Sequence, residues 1–210
     1  TTNAVLMYTE LIGVSNAEYK QSALSFLARK HYAEDDYANS NIYYQNLEKV
    51  AANNSLKREA IIRLMYGNES LNTELAYNYA KQVINLDKTD DWLMSKAKII
   101  IARHEFSGGN YAKSKTTFEK VVELSDYDEG AEAKYYLAYL TYLDDSLALA
   151  EKMIFELAES YTSDYFIAKA FILLADIYVV QENDFQAKAT LESIIENYKG
   201  EELVNLARKN

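Results

Sequence analysis

Proline and cysteine are both missing from this 210-residue sequence, and it has only six glycines and two histidines. Without cysteine there is no disulfide and no thiolate metal site, a composition compatible with an oxidising compartment. Without proline, and with so little glycine, the many tight turns of a strand-rich fold have no residues to form them. Long helices joined by short polar turns fit better. No apolar run approaches the roughly 20 residues that a membrane-spanning helix needs. Positive charge is also short: Lys and Arg number 22 against 32 Asp and Glu, a net charge of −10. Such a chain repels phosphate backbones and anionic membrane surfaces, which argues against both as partners. The sequence opens Thr1-Thr2-Asn3, with neither a methionine nor a basic-then-apolar leader. The expectation is a mature or excised piece of a longer protein.

What is present is ample apolar surface, with 49% hydrophobic and 26% charged residues. An ordered fold follows, because burial of that surface offsets the entropy of ordering. The sequence also repeats itself. Leu27-Ala28, Ile101-Ala102, Leu137-Ala138 and Leu174-Ala175 each place a large aliphatic before an alanine. Some 12 residues after each alanine comes a second small residue: Ser40, Ser114, Ala150 and Ala187. A bulky residue follows four further on (Tyr44, Phe118, Ile154, Leu191), and an aliphatic three beyond that (Leu47, Val121, Leu157, Ile194). A fifth copy fits between the first two through Leu64, Ala76, Ala80 and Val83, its small and large positions partly exchanged. First positions at Gln21, Lys57, Ser95, Ala131 and Ala168 give steps of 36, 38, 36 and 37 residues.

A period of that length reads as a pair of antiparallel helices per unit. One pair cannot bury its apolar stripe alone, so pairs stack. Where the two helices cross, only Ala, Ser or Gly lets the backbones approach, and the bulky positions fill the space toward the next pair. In these residues the chain resembles the tetratricopeptide repeat family over nearly its whole length. The last copy matches the family pattern best, with Phe171, Leu174, Ala175, Tyr178, Ala187 and Leu191. Three departures stand out. The period exceeds the family's 34 residues; position 27 carries Leu, Val or Ile where the family has Ala; and the family's proline near position 32 is replaced by Ala52, Lys88, Asp126, Thr162 and Lys199. They are similar to the divergent arrays of bacterial cell envelopes.

The resemblance implies an all-α fold, a right-handed α-α superhelix of about five helix pairs with flanking half-repeats, forming one solenoid over residues 1–210. Its repeats would cover 21–56, 57–94, 95–130, 131–167 and 168–200. Helices are expected at 3–13, 17–33, 36–51, 55–67, 72–86, 91–107, 110–124, 129–143, 146–160, 164–181, 184–197 and 201–209. Helix 3–13 reads as an orphan second helix with an apolar face, from an array that continues upstream. Helix 201–209 reads as a cap with Leu203, Val204 and Leu206 inward. Asp and Ser in the turns, such as Asp144-Asp145-Ser146, are expected to cap the next helix.

Motifs for chemistry are few. His31 and His104 fall near equivalent positions two repeats apart, about 20 Å from each other at one helix diameter per neighbour, too far to share a metal. Asp126, Asp128 and Glu129 before Gly130 lack a calcium loop's spacing. Ser107-Gly108-Gly109-Asn110 has no Gly-Lys-Ser/Thr after it and reads as a helix–helix turn. No nucleophile elbow exists. Neither an enzyme nor a cofactor or metal site is expected. Asp145-Ser146-Leu147 resembles a short bacterial O-glycosylation signal and reads first as a turn.

In the family the first helix of each pair lines a concave face through positions 2, 5, 9, 12 and 13. Carried over, these include Arg29, Tyr32, Met65, Arg103, Phe106, Tyr135, Tyr139, Tyr142, Asp176 and Val179. Tyrosine and arginine are common binding anchors, and Tyr135, Tyr139 and Tyr142 form an i, i+4, i+7 stripe. Nineteen tyrosines make a stripe that only packs an open alternative. The family's carboxylate clamp is missing, since positions 5 and 9 hold Ser25 with Arg29, Ile99 with Arg103, and Tyr135 with Tyr139. The resemblance therefore implies a protein-interaction scaffold that binds a peptide or folded partner on that face, in the C-terminal part of a longer envelope protein, periplasmic or outer-membrane-associated and otherwise cytoplasmic. Self-association through other faces, or a sensory segment of a signalling protein, are the alternatives.

Overall fold

The computed structural model describes residues 2–13 and 16–209. Among them are twelve helices and no strand. In chain order these are α1 (Thr2–Ile12), α2 (Ala17–Ala33), α3 (Tyr37–Val50), α4 (Asn54–Gly67), α5 (Thr73–Val83) and α6 (Asp91–Ser107). They continue as α7 (Tyr111–Leu124), α8 (Asp128–Leu143), α9 (Leu147–Ser160), α10 (Asp164–Val180), α11 (Asp184–Asn197) and α12 (Glu201–Lys209). Every helix expected from the periodicity is there, its ends within three residues of the expectation.

The chain divides into two compact units, Thr1–His104 and Glu105–Asn210, with the boundary inside α6. In the first, α1 packs on α2, α2 on α3, α3 on α4 and α4 on α5. In the second, each helix from α7 to α11 packs on the one that follows it, and α8 also packs directly on α10. Since α8 and α10 are the first helices of successive pairs, that contact lets one pair cover the apolar stripe of the next.

The small positions lie where the helices cross. Ala28 and Ser40 are fully buried, and the Ser40 hydroxyl donates to the Ala28 carbonyl at 3.0 Å, a reach that only a close α2–α3 crossing permits. Ala138 with Ala150 and Ala175 with Ala187 are buried in the same way. The bulky residues then fill the spaces between helices. Tyr44 and Leu47 of α3 join Leu24, Ala60 and Leu64, while Ile154 and Leu157 of α9 join Leu173 and Ile177. Each such aliphatic side chain stabilises by about 1.5–3 kcal/mol when fully buried. In the exchanged second copy Leu64 sits at the small position and Ala80 at the bulky one, and both are buried. Volume is conserved across the crossing, so the pair still closes.

The long period has a local cause. Helices α2, α6 and α10 start at Ala17, Asp91 and Asp164, four residues before Gln21, Ser95 and Ala168. Each first helix thus carries about one extra turn ahead of its first repeat position. A further feature was hidden by the scarcity of glycine. After α2, α6, α8 and α10 one residue takes a left-handed backbone: Asp35, Gly109, Asp145 and Glu182. The next amide then donates back five residues, as Asp36 to His31, Asn110 to Glu105, Ser146 to Thr141 and Asn183 to Tyr178. This is the Schellman closure, and three of the four positions hold an acidic residue where glycine is usual.

Capping falls to Asn and Asp. Asn16, Asp36, Asn53, Asn72 and Asn183 each accept an amide of the first turn, whereas Ser146 makes no side-chain cap bond. At α12 the inward stripe is Leu203 and Ala207, an i, i+4 pair, and Leu206 is exposed instead of facing inward. Helix α1 lays Tyr8 against Phe26 of α2, rings 4.1 Å apart, and leaves Leu6 and Met7 exposed.

Candidate functional site

The carried-over face is built differently in the two units. In the first, its arginines are already paired. Arg29 holds Glu59 through both ends of its guanidinium, Nε to Oε1 at 2.6 Å and Nη2 to Oε2. The buried Tyr44 hydroxyl donates to the same carboxylate at 3.1 Å. The Arg29 hydrogen bond holds the Glu59 carboxyl below its ordinary range against the opposing effect of burial. Arg103 pairs with Glu69. Tyr32 meets Tyr37 and Tyr44 edge-on and carries the Arg63 guanidinium 4.4 Å above its ring. Beside Arg29 an open groove of about 720 Å³ runs along α2, lined by Ser22, Ser25, Phe26, Lys30 and Leu56 among others. Ser22, Ser25 and Arg29 are positions 2, 5 and 9 of the first repeat, so the groove lies on the face that the pattern assigns.

The histidines of this unit are tied down by carboxylates and rings. His31 Nδ1 is 2.8 Å from Asp36 Oδ2 and stacks on Tyr43. His104 Nε2 is 2.8 Å from Glu74 Oε2 and stacks on Tyr77, with centroids 4.0 Å apart. Among the described residues no group of His, Asp and Glu is placed to hold a metal ion.

In the second unit the face is aromatic. Phe106 packs on Tyr111, Tyr136 and Tyr139 at 5.3, 4.8 and 6.0 Å between centroids. Tyr139 continues to Tyr135 and Tyr142, each at 6.3 Å. Tyr135 meets Phe166 of α10, and the Lys169 ammonium stands 4.8 Å from the Tyr135 ring and 5.8 Å from Tyr165. Such ring pairs add about 0.5–1.5 kcal/mol each beyond burial, so the wall is stiff. Burial, reinforced by Tyr136, Tyr139, Tyr165 and Asp176, pushes the Tyr135 hydroxyl far above the ordinary phenol range. Burial raises Asp176 as well.

Two of the ten assigned residues are core, not surface. Met65 is 0% exposed and Tyr135 9% exposed. The position number fixes the face on which a Cα lies, but the side chains of the next first helix decide whether it stays open. Phe166 and Lys169 cover Tyr135 in this way. Arg29 and Val179 are exposed, and Tyr32, Arg103, Phe106, Tyr139, Tyr142 and Asp176 are half-buried. The stripe of α8 is therefore both packing and surface, buried at Tyr135 and opening toward Tyr142. Sequence reasoning did not single out Phe166, Lys169, Leu143 or Val180 on this face. The signal for the last two was their place at position 13, one step beyond Tyr142 and Val179.

No family model matches the chain, and no curated protein matches its sequence. Solved structures do match its backbone. MamA superposes with a TM-score of 0.61 at 15% identity, covering 86% of this chain and 96% of that one. BtubC from P. vanneervenii superposes with a TM-score of 0.61 at 13% identity, over 95% of this chain and 91% of its own. TTC0263, a thermophilic TPR protein of Thermus thermophilus, gives 0.53 at 15% identity, over 90% and 97%. The chain has the tetratricopeptide-repeat fold. In that solenoid fold the exposed part of the first helices is available for contact, and the tetratricopeptide geometry here offers two surfaces of opposite character. One is a groove with its charges paired, the other a wall of rings.

Proposed function

We propose that this tetratricopeptide chain is a protein-interaction scaffold that holds a peptide or a folded partner on its concave face without acting on it chemically. The observation that carries the reading is the aromatic wall of the second unit. Phe106, Tyr139 and Tyr142 are linked ring to ring and remain partly exposed. A rigid half-open aromatic surface gives a partner large contact area at small entropic cost. A place in a longer bacterial envelope protein is part of the same proposal. It rests on the three departures from the family pattern, and a periplasmic or outer-membrane-associated location follows from it.

The test is crosslinking capture from envelope extract, with the wild-type chain beside Tyr139→Ala/Tyr142→Ala. The expected result is a set of proteins held by the wild type and lost by the variant, with helicity unchanged. Capture of the same proteins by both removes the concave-face assignment. Self-association has one specific observation in its favour, the exposed Leu6 and Met7 on the outer side of α1. It predicts a concentration-dependent mass that Leu6→Ser/Met7→Ser abolishes.

A further inference from the structure

Residues 105–210 carry all of the chain's excess negative charge. They hold twenty Asp and Glu against ten Lys and Arg, whereas residues 1–104 hold twelve of each. Within the second unit the charge is unevenly placed. No Lys or Arg occurs between Lys134 and Lys152, or between Lys169 and Lys188. These two stretches are the C-terminal halves of α8 and α10, the turns after them, and the first turns of α9 and α11.

The same stretches expose apolar side chains. Leu143 is 47% exposed, Val179 56%, Val180 52% and Phe185 80%. Leu143 and Val180 hold the same repeat position on successive first helices, and those helices pack directly on each other. Each is followed by a left-handed turn whose carboxylates are exposed: Asp144 and Asp145 after α8, Glu182 and Asp184 after α10. The product is an apolar ledge with an acidic rim, continuous with Tyr142. Asp176, half-buried, lies one helical turn before Val179.

The charge selects the occupant. A neutral apolar surface seated on the ledge would cover Leu143 and Val180 while desolvating rim carboxylates that gain no counter-charge. A phosphate-bearing surface is repelled by the same rim. A second copy of this chain would bring a unit that is either balanced or itself acidic. A segment bearing Lys or Arg answers both features, because its charged heads pair with the rim while its aliphatic stems lie on the ledge. We propose that the ends of α8 and α10, with the turns that follow them, form a docking surface for a Lys/Arg-rich amphipathic protein segment. This rests on the concave-face reading, since Tyr142 and Val179 belong to both surfaces.

The test is fluorescence anisotropy with the full chain and a labelled peptide of alternating lysine and leucine. One analogue replaces lysine by glutamate and another replaces leucine by serine. Leu143→Ser/Val180→Ser removes the ledge, and Asp144→Asn/Asp145→Asn/Glu182→Gln removes rim charge. Glu192→Gln/Glu196→Gln removes the same sign of charge from the exposed side of α11. The expected result is binding weakened about tenfold by each of the first two variants and little by the third, with neither analogue bound. Equal weakening by all three variants, or undiminished binding of either analogue, overturns the proposal. The capture experiment with Tyr139→Ala/Tyr142→Ala separates the two readings. If that variant loses native partners while the peptide shows no ledge dependence, the basic-segment assignment alone falls. If it keeps them, the concave-face reading falls and the ledge assignment falls with it.

Discussion

Replacing Gly130 by alanine tests a close approach between the end of α7 and the start of α8. Gly130 stands in the first turn of α8, and a Cβ built there would lie 1.9 Å from the Ser125 carbonyl oxygen and 2.8 Å from the Tyr161 ring. Neither neighbour moves freely. Ser125 and Tyr161 are both buried, and their amides close α7 and α9 by donating to Val121 and Leu157 at 3.1 and 3.0 Å. Relieving the clash means shifting the end of one repeat against the start of the next. Overpacking of this kind costs about 3 kcal/mol at the upper end of its usual range. Alanine recovers about 1 kcal/mol through its better helix propensity. The net loss is about 2 kcal/mol, or about 4–8 °C of melting temperature for a chain of this length. Thermal unfolding followed by circular dichroism measures it. Gly109→Ala is the control for the other use of glycine, having φ +76° with nothing within 4 Å of the added carbon. It is expected to cost about 1 kcal/mol from backbone strain alone. A Gly130→Ala protein that melts with or above the wild type would refute the close approach.

Ala138→Leu and Ala175→Leu, both at buried helix crossings, should each lower stability by about 1–3 kcal/mol in urea unfolding; unchanged midpoints would remove the register of the repeats. For Glu59 the folded-state carboxyl is depressed by the Arg29 hydrogen bond, so its contribution is present above the ordinary carboxyl range and lost as pH falls through the lowered folded value. Glu59→Gln should therefore lower the melting temperature at pH 7 and reduce its further fall as pH drops below the ordinary carboxyl range, and an unchanged acid slope would count against the pairing. In alkaline absorbance titration Tyr79, half-buried beside Glu48 and pushed up to about 12, should ionise after the exposed tyrosines, and Tyr44 and Tyr135 later still. Early release in Tyr135→Phe difference spectra would mean that the ring wall is open to water.

Much of the backbone was legible from residue types alone, because small residues at helix crossings and bulky ones four further on leave few other packings. Ala138 with Ala150 and Ala175 with Ala187 identify the pairs, and the polar turns between them bound the helices. Those constraints are local, acting within a helix pair or between one pair and the next, so a single sequence carries them. The open part of the face depended on contacts from further along the chain. Tyr135 and Tyr139 are one helical turn apart and alike in composition, yet Tyr135 is closed off by Phe166 and Lys169 while Tyr139 stays partly open. Asp35, Asp145 and Glu182 hid their left-handed turns because an acidic residue carries no sign of positive φ, which appears only once the amide after it reaches back to the helix. The ledge at Leu143 and Val180 likewise required α8 and α10 to pack side by side. Periodicity assigns a residue to a face, and the neighbouring helix decides whether that face is core or surface.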